Sequence, residues 1–356
     1  VIQTATILGA GVMGSAMTLP LADRGMTVRL VGTHLDRAII DSVRDSGVHP
    51  KLNVTLPPGV AAYHHEEFGK ALGSGTDLIV LGVSSAGVGW ALDRLCEEMK
   101  AAVPIVMITK GLQPEKGSLV AFPDVVAREL KARLGLAVPV AAIGGPCIAG
   151  ELAVRRQTGT VIVARDQGLA LALADALATD YYHPRVSTDM MGVELCAAFK
   201  NFFAIAVGWA HGQLDSLPDV ENKARNNNAA ALLFDQATRE MMVLALALGG
   251  RAESVWGMAG VGDLYVTCQA GRNSRLGNHL GRGLRYSAIK AGPMKDDTVE
   301  GAELGRMVAE TVLGLVDKGT LRADALPLTR ALLDCVTTDA PFTPDWGAFH
   351  QNGSVA

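Results

Sequence analysis

The segment Gly257-Met-Ala-Gly-Val-Gly-Asp-Leu-Tyr-Val-Thr-Cys-Gln-Ala-Gly-Arg-Asn-Ser-Arg275 gathers a carboxylate, a hydroxyl, a guanidinium and an amide into one short stretch. A helix over residues 262–269 sets Asp263 and Thr267 at i and i+4 on one face, with Arg272 and Asn273 following a bend at Gly271. Arginine presents a planar fork of donors matched to phosphate, and asparagine adds a donor and an acceptor. The segment therefore suits a small, anionic, oxygen-rich ligand. Taken alone, it also fits a surface turn with solvated charges.

Two lysines carry the next signal. Lys200, followed by Asn201, lies in Leu195-Cys-Ala-Ala-Phe-Lys-Asn-Phe-Phe-Ala-Ile-Ala-Val207, which is apolar on nearly every helical face. A lysine there either snorkels from a rim or is buried for a purpose, and burial disfavours the ammonium and brings it toward a useful acid–base range. Lys110 closes a strand in Ile108-Thr-Lys-Gly-Leu112, at the carboxyl edge where ligands of open α/β sheets bind. Two lysines converging on one site would weaken each other's hold on a proton.

Gly9-Ala-Gly-Val-Met-Gly14 follows a strand-like run and opens a helix, the setting that the G-x-G-x-x-G dinucleotide fingerprint requires. Gly9 permits the tight turn, Gly11 lets the backbone approach a pyrophosphate, and Gly14 lets helix pack on strand. The helix start at Val12 and Met13 offers N–H donors and a positive dipole end. A purely structural glycine turn is the plainer alternative. The expected cofactor is NAD or NADP. An NAD site usually presents an acid to the ribose roughly 20 residues on, yet the second strand ends in Val31-Gly-Thr-His-Leu-Asp-Arg37 with no acid directly at its end. Thr33, His34 and Arg37 then remain as donors to a 2′-phosphate, which favours NADP; the alternative puts Asp36 on the ribose and Arg37 in solvent.

The elements that must position these groups alternate in the first half: strands at residues 4–8, 27–31, 77–83, 104–109, 138–143 and 160–164, helices at 12–24, 87–101, 117–134 and 167–178, and a last strand at 181–189. That alternation predicts an α/β, Rossmann-type N-terminal domain with a mostly parallel sheet. From Met190 onward, long Ala/Leu/Met-rich helices take over at 190–210, 228–247 and 301–318, which predicts an all-α C-terminal domain. The expected domains are 1–188 for the dinucleotide and 189–356 for substrate and catalysis. The tail from Thr338 is expected to be loosely held.

At 356 residues two domains are the natural expectation, and a net charge of -4 without a basic run argues against nucleic acid as a partner. The five cysteines are scattered without a C-x-x-C pair, which fits a reduced cytoplasm and excludes a zinc ribbon; no metal is expected. His64-His65 reads as exposed loop residues. An opening segment that reads as a strand, and no uncharged apolar run of membrane-spanning length, lead us to expect an unexported protein without an integral span.

With these motifs in place, the chain resembles the NAD(P)-dependent glycerol-3-phosphate dehydrogenase family over nearly its whole length. The matching residues, in family order, are Gly9-x-Gly-x-x-Gly14, Thr109-Lys-Gly111, Gly145-Pro-Cys-Ile-Ala149 with Glu151, Gly192-Val-Glu-Leu195, Lys200-Asn201, Gly260-x-Gly-Asp263 with Thr267-Cys268, Gly271-Arg-Asn273 and Val299-Glu-Gly301. The resemblance implies interconversion of sn-glycerol 3-phosphate and dihydroxyacetone phosphate. Lys200 matches the general acid/base, Lys110 a lysine touching both cofactor and substrate, Asp263 the acid near the reacting hydroxyl, and Thr267 its neighbour. It further places Gly145, Cys147, Asn201, Arg272 and Asn273 against substrate. It places Ala149, Glu300 and Arg272 against the cofactor, beside Thr33 and His34, which the end of the second strand already offered, and the Gly9–Gly14 loop. A small-molecule substrate and a homodimer are implied as partners. A dehydrogenase for another phosphorylated or carboxylated polyol, and a non-catalytic dinucleotide sensor, are the alternatives.

Three departures from the family pattern stand out. Cys147 replaces a Ser or Thr, exchanging a hydroxyl donor for a weak thiol. Ser84-Ser85 replaces a Val-Pro type loop. In Glu221-Asn-Lys-Ala-Arg-Asn-Asn-Asn-Ala-Ala-Ala231, alignment on Asn228 puts Ala230 at a usually basic position, and Gln236 replaces an Arg common in bacterial members. Lys223 and Arg225 are the candidates to compensate, although the Asn run also suits a plain helix start.

Overall fold

A computed structural model describes residues 2–73, 75–219 and 222–351. The chain divides into two compact units, Val1–Gly111 with Ala121–Met190, and Leu112–Val120 with Met191–Ala356. The expected division at residue 188 differs from this chiefly in the short Leu112–Val120 stretch, which groups with the second unit.

The strands are β1 (Thr4–Leu8), β2 (Thr27–Val31), β3 (Val48–His49), β4 (Val54–Thr55), β5 (Ala61–Tyr63), β6 (Leu78–Leu81), β7 (Ile105–Met107), β8 (Leu112–Glu115), β9 (Ser118–Ala121), β10 (Val140–Gly144), β11 (Thr158–Ala164) and β12 (Tyr182–Ser187). Eight of them form the sheet of the first unit in the order β12-β11-β10-β7-β6-β1-β2-β5. Every pairing in it is parallel except β10 with β11. β6 is a wholly buried apolar run and β1 is buried from Ala5 to Leu8 with one threonine, Thr6, inside, as strands covered on both faces are. From β1 the chain steps outward to β2 and β5, then returns across to β6. The topological switch therefore lies between β1 and β6, where open sheets hold their ligands.

The expected helix at 117–134 begins later. Residues 112–121 form the β8–β9 hairpin and the helix is Phe122–Leu134. The reason is local: Lys116 and Gly117 have φ of 51° and 75°, the paired positive values that a tight hairpin turn demands and a helix forbids. The two-stranded β3–β4 pair and the edge strand β5 carry no strong alternation and were not expected. The expected last strand, β12, is the edge strand of the sheet, parallel to β11.

The second unit is helical. Its long members are Met190–Gly212, Asn227–Ala247, Arg272–Gly281, Glu300–Asp317 and Pro327–Thr338. Met190–Gly212 is the one described helix long and apolar enough to cross a membrane, and 89% of its most apolar window is buried inside the fold, as in a core helix. It crosses Arg272–Gly281 at backbone contact: a Cβ on Gly277 would sit 2.0 Å from the Ile205 carbonyl oxygen, and one on Gly212 2.1 Å from that of Asn278. Only glycine at these crossings lets the start of the second helix reach the middle of the first. Further along, Glu240 is fully buried and accepts from Leu328 N at 2.7 Å and from Thr329 N and Oγ1 at 2.6 Å, capping the Pro327–Thr338 helix from a helix 88 residues away in sequence. The tail is better anchored than expected. Trp209 packs edge-on against Phe342 with centroids 5.4 Å apart, and Trp346 meets Phe349 edge to face at 5.7 Å, so aromatic burial holds the chain as far as that residue. Residues 352–356 of the expected loose tail lie outside the described residues.

Candidate active site

In the first unit, the glycine loop sits at the switch point. Gly9 has φ +116°, and a Cβ there would lie 2.6 Å from the Gly82 carbonyl oxygen at the end of β6. A Cβ on Gly14 would lie 2.1 Å from the Gly9 oxygen, so helix and turn touch directly. Around Gly11 nothing lies within 4 Å of a built Cβ, and the Val12–Ala16 helix that starts there has no side-chain cap. A crowded turn beneath open space, with helix N–H groups facing it, fits a dinucleotide pyrophosphate, with Val12 and Met13 supplying the first of those groups.

β7 and β10 are neighbouring parallel strands, and their carboxyl ends bring two further expected residues together. Thr109 donates to Val83 O at 2.6 Å, which fixes the backbone just before Lys110, and Lys110 Nζ donates to Gly145 O at 3.4 Å. Cys147 is partly buried and packs with Ala149 against the core of the sheet. Ala149 opens the Ala149–Ala153 helix.

At the end of β2 the structure changes the reading of Thr33. The Thr33 hydroxyl donates to Asp36 Oδ2 at 2.8 Å and accepts from Leu35 N at 3.2 Å, so it is engaged in its own turn and not offered to a 2′-phosphate. Asp36 is buried; the same oxygen takes Thr33 N at 2.8 Å and Ala10 N at 3.3 Å, tying this turn to the glycine loop. Threonine and aspartate three residues apart form a side-chain–backbone turn, a spacing already visible in the sequence. His34 is exposed, and Arg37 pairs with Glu66.

In the second unit Lys200 and Asp263 are both buried, 9% and 1% exposed, and the ammonium donates to Asp263 Oδ1. Burial of Lys200 is thus answered by a counter-charge, the arrangement a buried charge needs. Asp263 opens the Asp263–Gln269 helix directly after a five-residue π-helical turn, Met258–Gly262, a widened turn that is rare and often found at functional sites. Thr267 follows one turn on, and its hydroxyl donates to Asp263 O at 2.7 Å. Beside them burial pushes the Cys268 thiol up to about 12, against the pull of the Lys200 charge.

One residue along the same helix, Asn201 enters an amide array. Asn273 Nδ2 donates to Asn201 Oδ1 at 3.0 Å, Asn273 Oδ1 accepts from Gly301 N at 2.9 Å, and Asn201 Nδ2 donates to Glu300 Oε2 at 3.2 Å. Glu300 also lies 3.5 Å from Arg272, whose side chain is 45% exposed. Asn273 therefore acts first as a brace between three helices. Arg272 starts the Arg272–Gly281 helix, which has Gly271 as N-cap, no side-chain cap and no acid in its first turn. Guanidinium and helix dipole both favour an anion at that end.

The departures resolve differently. Gln236 is buried and donates to Glu240 Oε1 at 2.8 Å, so it belongs to the helix brace. Arg225 lines a cavity of about 300 Å³ with His211, Leu214, Asn226 and Asn227. His211 lies eleven residues beyond Lys200 in one helix, about 16 Å at 1.5 Å per residue, so Arg225 is not brought to Lys200. Lys223 is exposed, and Glu221 lies outside the described residues. Asn226 does precede a helix, but its side chain donates to Ala210 O at 2.8 Å and does not cap it. Ser84 and Ser85 are exposed, the second opening a short 3-10 turn.

Comparison with known proteins agrees with this pattern. The family model for the NAD-dependent glycerol-3-phosphate dehydrogenase N-terminus matches residues 4–170, and that for the C-terminus matches 189–343. The chain belongs to the NAD-dependent glycerol-3-phosphate dehydrogenase family. It is 37% identical over 78% of its length to the NADP(+)-dependent glycerol-3-phosphate dehydrogenase of Archaeoglobus fulgidus, covering 80% of that protein. It is 33% identical to the Caulobacter vibrioides glycerol-3-phosphate dehydrogenase [NAD(P)+], covering 80% of this chain and 81% of the other. The crystal structure of the Coxiella burnetii enzyme superposes with a TM-score of 0.76 at 28% identity and 98% coverage of both chains. That of Plasmodium falciparum, at 17% identity with 99% and 96% covered, gives 0.80 and speaks to the fold alone.

The 258–262 turn and Glu240 are not expected from the sequence, and the His64-His65 pair is placed otherwise than expected. The π-helical turn before Asp263 left a signal in the spacing Gly257-x-x-Gly-x-Gly262, unusually glycine-rich for a helix start. Glu240 left none, because its partners lie far away in the chain. His64 and His65, read as exposed, are only partly so: His64 Nε2 lies 3.0 Å from Asp41, and His65 packs against other rings.

Proposed function

We propose that this enzyme interconverts sn-glycerol 3-phosphate and dihydroxyacetone phosphate by hydride transfer with NAD or NADP, its 1–188 region binding the dinucleotide and 189–356 carrying catalysis. The observation that carries this reading is the buried Lys200–Asp263 pair one residue from the Asn201–Asn273 array that Arg272 heads. The nicotinamide, when bound, supplies or accepts the hydride at C2. As C2 is reduced, its oxygen gains alkoxide character, and Lys200 Nζ gives it a proton; in the reverse direction the neutral amine takes the hydroxyl proton. Asp263 holds Nζ in one place and balances its charge, and the dry surroundings strengthen the interaction with a developing oxyanion.

Arg272 and the first turn of its helix grip the substrate phosphate, while Asn273 and Asn201 keep that helix start in register with Lys200. Lys110, Gly145 and Cys147 are assigned to substrate contact from the first unit. Lys110, Ala149, His34 and the glycine loop are assigned to the cofactor; Thr33 keeps only a turn-forming role. Glu300, assigned to the cofactor by likeness, is supported here as a residue that also positions Arg272 and Asn201. Five cysteines scattered without a C-x-x-C pair fit a cytoplasmic enzyme, and a homodimer follows from the family likeness.

The test is nicotinamide absorbance with dihydroxyacetone phosphate, dihydroxyacetone and glycerol 3-phosphate as substrates. Oxidation of the reduced cofactor by the phosphorylated ketone, with the unphosphorylated one at least about tenfold poorer, is the expected result. Equal rates, or binding without turnover, would overturn it.

A further inference from the structure

Three aromatic side chains meet beside the glycine loop, and none has been given a role above beyond His34. His34 stands three residues after β2, His65 two residues after β5, and Trp90 on the Val88–Glu98 helix that follows β6. Ring centroids are 5.7 Å apart for His34 and Trp90, 6.3 Å for His65 and Trp90, and 6.4 Å for His34 and His65, all edge to face. All three follow the carboxyl ends of parallel strands in one sheet: β2 and β6 flank β1, the strand leading into the glycine loop, and β5 lies next beyond β2. His34 is exposed and the other two partly so, which leaves the corner open to solvent. An indole wedged between two imidazoles at a surface is a poor packing solution, but a good platform for a purine, which stacks on any π face.

A charged group stands beside this corner. Glu66 pairs with Arg37 and its Oε1 lies 3.3 Å from His65 Nε2. Asp36, the acid nearest β2 in sequence, is buried and turned toward Ala10 and Thr33. The carboxylate that faces the corner is therefore Glu66. A ribose 2′-hydroxyl can donate to it, whereas a 2′-phosphate meets like charge and must compete with it for Arg37 and His65.

We propose that Trp90, with His34 and His65, is the platform for the adenine of the cofactor, and that Glu66 sets the balance between NAD and NADP by holding Arg37 and His65. The proposal rests on the NAD(P) reading above, and its test uses binding without turnover: calorimetric titration of the full chain with ADP-ribose and with 2′-phospho-ADP-ribose, together with tryptophan emission. Trp90→Ala should weaken both fragments by about fivefold or more, the lower end for a lost stacking partner. Glu66→Gln should raise the affinity for the 2′-phosphorylated fragment relative to ADP-ribose by about threefold or more. Trp90→Phe should keep binding within about twofold yet remove the emission that ADP-ribose quenches in the wild type; this variant decides the matter should Trp90→Ala fail to fold. Smaller losses in Trp90→Ala, an unchanged ratio in Glu66→Gln, or no Trp90-dependent quench overturns the proposal alone. A wild type that binds neither fragment overturns the cofactor reading with it.

Discussion

Asp263 and Glu240 are both carboxylates sealed inside the helical unit, and their surroundings give them opposite uses. Asp263 faces an ammonium, at the end of a widened helical turn. Glu240 faces only neutral donors: Gln236, two backbone N–H groups at a helix start and the Thr329 hydroxyl. The first site holds a proton that a substrate can receive. The second holds a helix end. Burial alone therefore does not mark a catalytic acid; the charge of its partner does.

The largest effect that would break this contrast is at Lys200. Lys200→Met keeps the apolar stem and removes the ammonium, so turnover should fall by at least about 100-fold while the dissociation constant of the cofactor stays within about twofold. Near-normal turnover would place the proton donor elsewhere. Arg272→Ala should come next, weakening dihydroxyacetone phosphate by about 1.5–3 kcal/mol, the usual worth of a hydrogen bond to a charged group. Arg272→Lys should recover little of this, since a point charge cannot grip two oxygens. Survival of the preference for the phosphorylated ketone in both variants would move the phosphate away from this helix.

Glu240 should show no catalytic effect and a clear one on stability. Burial pushes its carboxyl up to about 7 from an ordinary 4.5, with the donors pulling the other way. The folded state then binds more protons than the unfolded state between those values, so this contribution is full below 4.5 and is lost as pH rises through 7. The slope amounts to roughly 3 kcal/mol over that window. Glu240→Gln should flatten it in denaturant unfolding between pH 5 and 7. It should also lower stability by about 1–3 kcal/mol, because an amide nitrogen would face two donors, with turnover within about twofold of wild type. A variant that loses turnover as Lys200→Met does would erase the distinction.

What was legible in the sequence follows from how local the cause is. Gly9, Gly11 and Gly14 announce themselves because a positive φ and a backbone contact exclude every other residue type, and Asp263 with Thr267 because helical period puts them on one face. Lys200 was visible as a charge in an apolar helix, but not its answer in Asp263, which comes from 63 residues away. The Thr33–Asp36 hydrogen bond is harder to see, because the sequence offers each residue separately to the ribose end of a cofactor. The β8–β9 hairpin was missed since its turn needs φ > 0 at Lys116, a residue type that gives no warning. The His65–Trp90 contact and the Glu240 cap depend on strand order and helix crossing, which no local period encodes.

The most direct test of the contrast is a double-mutant cycle on turnover with Lys200→Met, Asp263→Asn and the two combined. If the pair works as one proton-transfer unit, the double variant falls no further than Lys200→Met alone, within about threefold, because the second change removes a partner with nothing left to hold. Losses that multiply would show two independent contributions and contradict the assignment of Asp263 as the residue that positions Lys200.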